Sequence, residues 1–108
     1  MRCYVLRDRK IVRVTVLEWC EFMDSADRCV RNTIVGGFEV STVFLGLDHN
    51  FSNHGDPVLW ETMVFDGSGG RRGFDQHRCS GSIEQAESMH ERVVRSVEAV
   101  LGIARATT

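Results

Sequence analysis

From Ser82 to Leu101 the sequence SIEQAESMHERVVRSVEAVL carries an apolar stripe at helical spacing, and that stripe limits what the chain can become. Ile83, Ala86, Val93, Val94, Val97, Val100 and Leu101 fall on one side of a helix. Glu84, Glu87, Glu91, Arg92, Arg95 and Glu98 lie mainly off it. Ser82 with Gln85 three residues later is a capping-box signature, and Gly102 is a C-terminal stop. A one-sided helix of this kind must cover an apolar surface. The rest of the chain reads mostly as β-strand, so the surface is a sheet.

CYVLR and IVRV alternate around Asp8-Arg9-Lys10 and predict a hairpin. In TVLEWCEFM, Thr15 and Glu18 mark the start of a short helix whose Trp19, Phe22 and Met23 would dock on the sheet. CVRNTIV and FEVSTVFLGL flank Gly36-Gly37, a pair suited to the positive φ of a tight hairpin turn. VLWETMVF is a further strand, entered through Pro57. DGSGGRRGFDQHRCSGS, Asp66 to Ser82, is rich in glycine and charge and reads as a mobile loop with Arg71 and Arg72 at its tip. The order is β-β-α-β-β-β-α. It predicts an α+β fold with an antiparallel sheet of about five strands and two helices packed on one face, as a single domain over residues 1–108.

Hydrophobic content of 43% and charged content of 26% suit one modest core. A formal net charge of −2 offers no basic surplus for general nucleic-acid binding. No apolar run approaches a membrane span, and the opening MRCYVLRDRKIVRV lacks the apolar region of a signal peptide. The chain is therefore read as cytoplasmic. Its cysteines (Cys3, Cys20, Cys29, Cys79) form no CxxC pair and are read as small, buried, reduced residues.

The chemistry concentrates in LGLDHNFSNHGDPVLWETMVF, Leu45 to Phe65. Strand alternation places Glu61 with Leu59, Met63 and Phe65 on one face, and helical spacing places His90 on the apolar stripe. Each needs a partner if buried. If the last helix covers the Glu61 face, the two residues are each other's partner. Asp48 and His49 end the preceding strand, and His54 and Asp56 lie in the loop that follows. Asp48 can alternatively cap the turn by accepting backbone N–H groups. No HxH, HxxxH or HExxH spacing is present, so no metal is assigned. There is no GxSxG elbow and no phosphate loop around the glycines at 67, 69, 70 and 73, so no catalytic residue and no cofactor are assigned. On balance the chain reads as a non-enzyme.

Three segments together, VSTVFLGLDHNF, PVLWETMVF followed by Asp-Gly, and EQAESMH, resemble a family of small proteins encoded by bacteriophages and prophages. The resemblance covers about Val40 to Val94, with a weaker echo in VLEW…F…ADR. It implies a phage context, and so the cytoplasm of a bacterial host cell, and no particular reaction. It points at Asp48, His49, Glu61, Thr62 and His90 as a candidate ligand pocket. The chain departs from the family pattern in the loop NFSNHGDPV, which has one proline and an extra His-Gly-Asp. It departs again at RCSGSIEQA, where the pattern has an aromatic near Cys79 and a tryptophan near Ile83.

Two functions follow as expectations. The first is a phage or mobile-element accessory protein that binds a host bacterial protein, in its sharpest form an anti-CRISPR-like inhibitor of a defence system. Its candidate contacts are Asn50, His54, Asp56, Arg71 and Arg72. The alternative is a small-ligand or metal-binding protein, or a small enzyme, with a pocket built by Asp48, His49, Glu61 and His90. A nucleotide sponge lies between them, with Arg71, Arg72 and Arg78 meeting phosphates. Exposed strand edges also make a homodimer an expectation to test.

Overall fold

Local signals account for the element boundaries of the computed structural model, which describes residues 2–52, 54–66 and 72–102, the side chains of 72–74 excepted. Strands β1 (Cys3–Arg7) and β2 (Lys10–Val14) form a hairpin. It closes through Asp8 and Arg9 alone, both at positive φ (51° and 65°), as a two-residue hairpin turn requires. Helix α1 (Val16–Ser25) opens with the expected capping box: the Thr15 hydroxyl accepts from the Glu18 N–H at 3.2 Å, and the Glu18 carboxylate accepts from the Thr15 N–H at 3.3 Å.

Strands β3 (Cys29–Val35), β4 (Phe38–Phe44), β5 (Val58–Asp66) and β6 (Arg72–Ser80) form one antiparallel sheet in that order. Gly36 and Gly37 join β3 to β4 at φ 50° and 87°. Helix α2 (Ile83–Leu101) has the Ser82–Gln85 capping box and ends at Gly102 in the left-handed conformation. The fold is α+β, with six strands in two sheets among the described residues where about five in one were expected.

The added strand is β6, which occupies much of the segment read as a loop. Its Asp75-Gln76-His77-Arg78 run has no apolar alternation because an edge strand with exposed side chains needs none. The backbone ladder along β5 makes it a strand.

Helix α2 lies across the four-stranded sheet and touches every strand of it, whereas α1 packs chiefly on β1. The core joins Val40, Phe44, Trp60 and Val64 from the sheet to Ala86, Val93 and Val94 from α2. Phe44 is fully buried, 5.0 Å between ring centroids from Trp60 and 6.0 Å, edge to face, from Phe22 of α1. Burying a side chain of that size contributes about 1.5–3 kcal/mol. The apolar stripe of α2 outlasts its contact with the sheet: Val100 is 84% exposed and Leu101 is 38% exposed.

The segment from Leu45 to His49 ties the two sheets together. Tyr4 N–H donates to the Gly46 carbonyl at 2.7 Å, and Leu45 N–H donates to the Leu59 carbonyl at 2.7 Å. Gly46 sits at φ 77°, and a Cβ there would lie 2.4 Å from Trp19 Nε1, so both conformation and space demand glycine. All four cysteines are free. Cys3 is buried and Cys79 half-buried, but Cys20 and Cys29 are exposed, contrary to the reading of all four as core residues. No helix among the described residues is long and apolar enough to cross a membrane.

Candidate functional site

Residues of β4 and β5 that face each other in register share a side of the sheet. Thr42 lies opposite Thr62, and Val40 opposite Val64. This is the side that α2 covers, and it also carries Trp60 and Phe44. His90, four residues after Ala86 on the buried stripe, comes down onto it and is fully enclosed. Its Nε2 is 2.8 Å from Thr33 Oγ1 and its Nδ1 is 2.7 Å from Thr42 Oγ1, which is in turn 2.6 Å from Thr62 Oγ1.

The result is a line of hydrogen bonds, Thr33–His90–Thr42–Thr62, through an apolar layer. A neutral imidazole offers one donor and one acceptor, and threonine hydroxyls rotate to meet either role. Desolvation holds the His90 pKa below its ordinary 6.5, with Arg31 acting in the same direction and the Glu91 carboxylate opposing. His90 is therefore a neutral group, enclosed and hydrogen-bonded at both ring nitrogens.

The expected Glu61–His90 pair does not form. From Trp60 to Phe65 the alternation of β5 is as read, but Leu59, read on the Glu61 face, is buried in the core, and α2 covers the Trp60, Thr62, Val64 side and leaves Glu61 on the other. There the Glu61 carboxylate accepts from Arg78 Nε at 2.9 Å and Gln76 Nε2 at 2.5 Å, both on β6. Thr62 and His90 share one network, while Glu61 stands across the sheet from them.

Asp48 and His49 belong to a third location. Asp48 Oδ1 accepts from the N–H groups of Asn50 (2.8 Å) and Val58 (2.9 Å). Its Oδ2 faces Arg2 Nη2 at 2.6 Å, with the geometry of an ion pair more than of a directed hydrogen bond. This is the turn-capping role that the sequence offered as an alternative. His49 donates from Nδ1 to the Leu47 carbonyl at 2.8 Å, and its ring lies 5.9 Å from that of Phe51.

Asn50 braces the loop from inside. It donates to the carbonyls of His54 (2.5 Å) and Asp56 (3.0 Å) and accepts from Ser52 N–H at 3.1 Å. His54 and Asp56 are exposed. Arg71 lies outside the described residues, and Arg72 is placed only by its backbone pairing with Asp66. The four residues of the alternative pocket thus occupy three separate places. Among the described residues no three His, Cys, Asp or Glu side chains converge as they would around a metal ion.

The side of the sheet away from α2 holds a trough of about 690 Å³. Its floor runs in cross-strand rows: Val43 beside Glu61, Ser41 beside Met63, Glu39 beside Phe65. Asn32, Met23 of α1 and the residues that follow the helix, Ala26, Asp27 and Arg28, complete the wall. Each row sets one apolar side chain beside a polar one. Asn32 Nδ2 donates to Glu39 at 2.7 Å, which fixes one side of the rim.

Sequence reading missed Thr33 and Thr42, whose only signal was a pair of hydroxyls at positions facing the helix. It also passed over a charge cluster on one flank of α2. There Glu87 meets Arg9 at 2.8 Å and Arg31 at 3.3 Å, and Arg31 meets Glu91 at 3.3 Å. The hydrogen bond from Arg9 holds the Glu87 carboxyl below its usual range. The cluster joins the β1–β2 turn, β3 and α2, a convergence that chain order does not announce. Against protein-family models, curated proteins and solved structures, the chain gives no match.

Proposed function

We propose that this chain is an interaction protein: an accessory factor of a phage or mobile element that binds a bacterial host protein. Inhibition of a host defence system, as by an anti-CRISPR, is the sharpest form of the proposal. The observation that carries it is the trough on the sheet face turned away from α2. Val43, Met63 and Phe65 alternate there with Glu61, Ser41 and Glu39 in cross-strand rows, a mixture of apolar and polar side chains of the kind a protein contact uses. The loop after β4 adds exposed Phe51, His54 and Asp56 on a frame that Asp48 and Asn50 brace.

The test is native mass spectrometry of tagged protein purified gently from bacteria, paired with phage plating on hosts that carry or lack a given defence system. A stoichiometric complex is expected, along with rescue of plating on the defended host. Both should be lost in Met63→Asp and kept in Arg13→Gln, an exposed change on β2. A complex indifferent to Met63→Asp would remove the open face from the proposal. A bare monomer with no rescue in any host would remove the proposal itself.

A further inference from the structure

Helix α1 turns one face to the protein and leaves the other without a partner. Trp19, Phe22 and Met23 are half-buried; Phe22 meets Phe44, and Trp19 lies against Gly46. Leu17, Cys20, Glu21 and Asp24 recur at the three- and four-residue spacing of the opposite face, and all four are exposed. Leu17 is 70% exposed and its neighbour Val16 is 47% exposed.

The charges on this face have one sign, and they are badly placed for the helix itself. Glu18, at its edge, is met by Arg7 at 3.6 Å. Neither Glu21 nor Asp24 has a cation within ion-pairing distance among the described residues, and no basic residue occupies the last turn. Carboxylates near the C-terminal end of a helix face the negative pole of its dipole and weaken it. A leucine left in water adds little to folding. The outer face therefore carries two features that stability does not reward, a pattern that marks functional surfaces.

We propose that the outer face of α1 is a docking surface for a basic, amphipathic segment of a partner protein. Val16 and Leu17 form its apolar anchor, and Glu21 and Asp24 its charged flank. The sign of the charge selects the occupant. A second copy docked through the same face would set carboxylates against carboxylates. Nucleic acid and anionic membranes carry the same charge as the face. Lysine or arginine side chains beside an apolar stripe match it, and their cations would also meet the negative end of α1.

This surface rests on the reading of the chain as an interaction protein, but it shares no residue with the lining of the trough. The test reads α1 directly, so either proposal can fail alone. The full chain is titrated with an amphipathic peptide of leucine and lysine, followed by amide chemical shifts. The controls are its leucine–glutamate counterpart and a scrambled peptide of the same leucine and lysine content. Saturable shifts centred on Leu17, Cys20, Glu21 and Asp24 are expected for the amphipathic basic peptide, and they should weaken as salt is raised.

Leu17→Ser removes the anchor and should weaken binding by about tenfold or more. Asp24→Lys reverses one charge and should abolish it. The same change relieves the helix dipole, so the variant should melt at a higher temperature than the parent while binding less. Arg95→Gln, an exposed change on α2, should leave binding unchanged. Circular dichroism establishes that each variant is folded. The proposal is overturned by the absence of saturable shifts, by equal binding of the glutamate or scrambled peptide, or by shifts centred on Val43 and Met63 of the trough. It is also overturned by folded Leu17→Ser and Asp24→Lys variants that bind as the parent does, or by a lower melting temperature in Asp24→Lys, which would give that carboxylate a structural role.

Discussion

Glu61 and Thr62 are neighbours on β5, yet they live under different physics. Thr62 points to the covered side, where it is fully buried and hydrogen-bonded into the His90 line. Glu61 points to the uncovered side, where its charge is met by Arg78 beside solvent. On the covered side a polar atom must find a protein partner, because an unsatisfied buried donor or acceptor costs about 1–3 kcal/mol. On the uncovered side water is the fallback partner, and an exposed ion pair contributes about 0–1 kcal/mol. Polar residues therefore specify the packing on one face, while on the other they remain available for contact.

The sharpest way to break this comparison is His90→Ala. It leaves the Thr33 and Thr42 hydroxyls without their partner and opens a cavity, so a loss of about 3–5 kcal/mol is expected in urea unfolding. A loss below about 1 kcal/mol would mean that the hydrogen-bond line does not organise the layer. Thr42→Val keeps the shape and removes one hydroxyl. It should cost about 1–3 kcal/mol, and the double variant with His90→Leu should cost less than the sum of the singles, since the residues share one network.

A pH series tests the same residue by charge. The folded-state pKa of His90 lies below 6.5, so the unfolded chain takes up the proton first. The contribution of neutral His90 is fully present above pH 6.5 and is lost as pH falls toward the lowered folded value. Melting temperatures between pH 7.5 and 5 should show a decline with acidification, and His90→Asn should flatten it. An identical slope in the variant would assign the decline to other groups. The smallest effect belongs to Glu61→Gln, expected to shift stability by no more than about 1 kcal/mol. A loss of several kcal/mol would show that the uncovered face is structural after all.

Much of the fold was legible because its signals are local. Both capping boxes, the Gly36-Gly37 turn and the alternation of β5 depend on residues within a few positions of one another. The short edge of legibility is β6. Glycines and charges around Arg72–Ser80 hid a strand whose stability comes from a neighbouring ladder and not from its own pattern. Of the candidate site, His90 was found through its place on the stripe. Its partners were not, since Thr33 and Thr42 are separated from it by 57 and 48 residues.

The sequence by itself determined where most elements begin and end and which residues of β5 share a face, because caps, turns and the two-residue period are short-range. It could not determine which face α2 covers. Leu59, Met63 and Phe65 on one side and Trp60 and Val64 on the other are both apolar enough to attract a helix. Only the tertiary structure decided it, by aligning Val40, Thr42 and Phe44 of β4 with Val64, Thr62 and Trp60 of β5 beneath α2. That register gave His90 a threonine to bond to and left Glu61 outside, because packing sums contributions from strands that are distant in the chain.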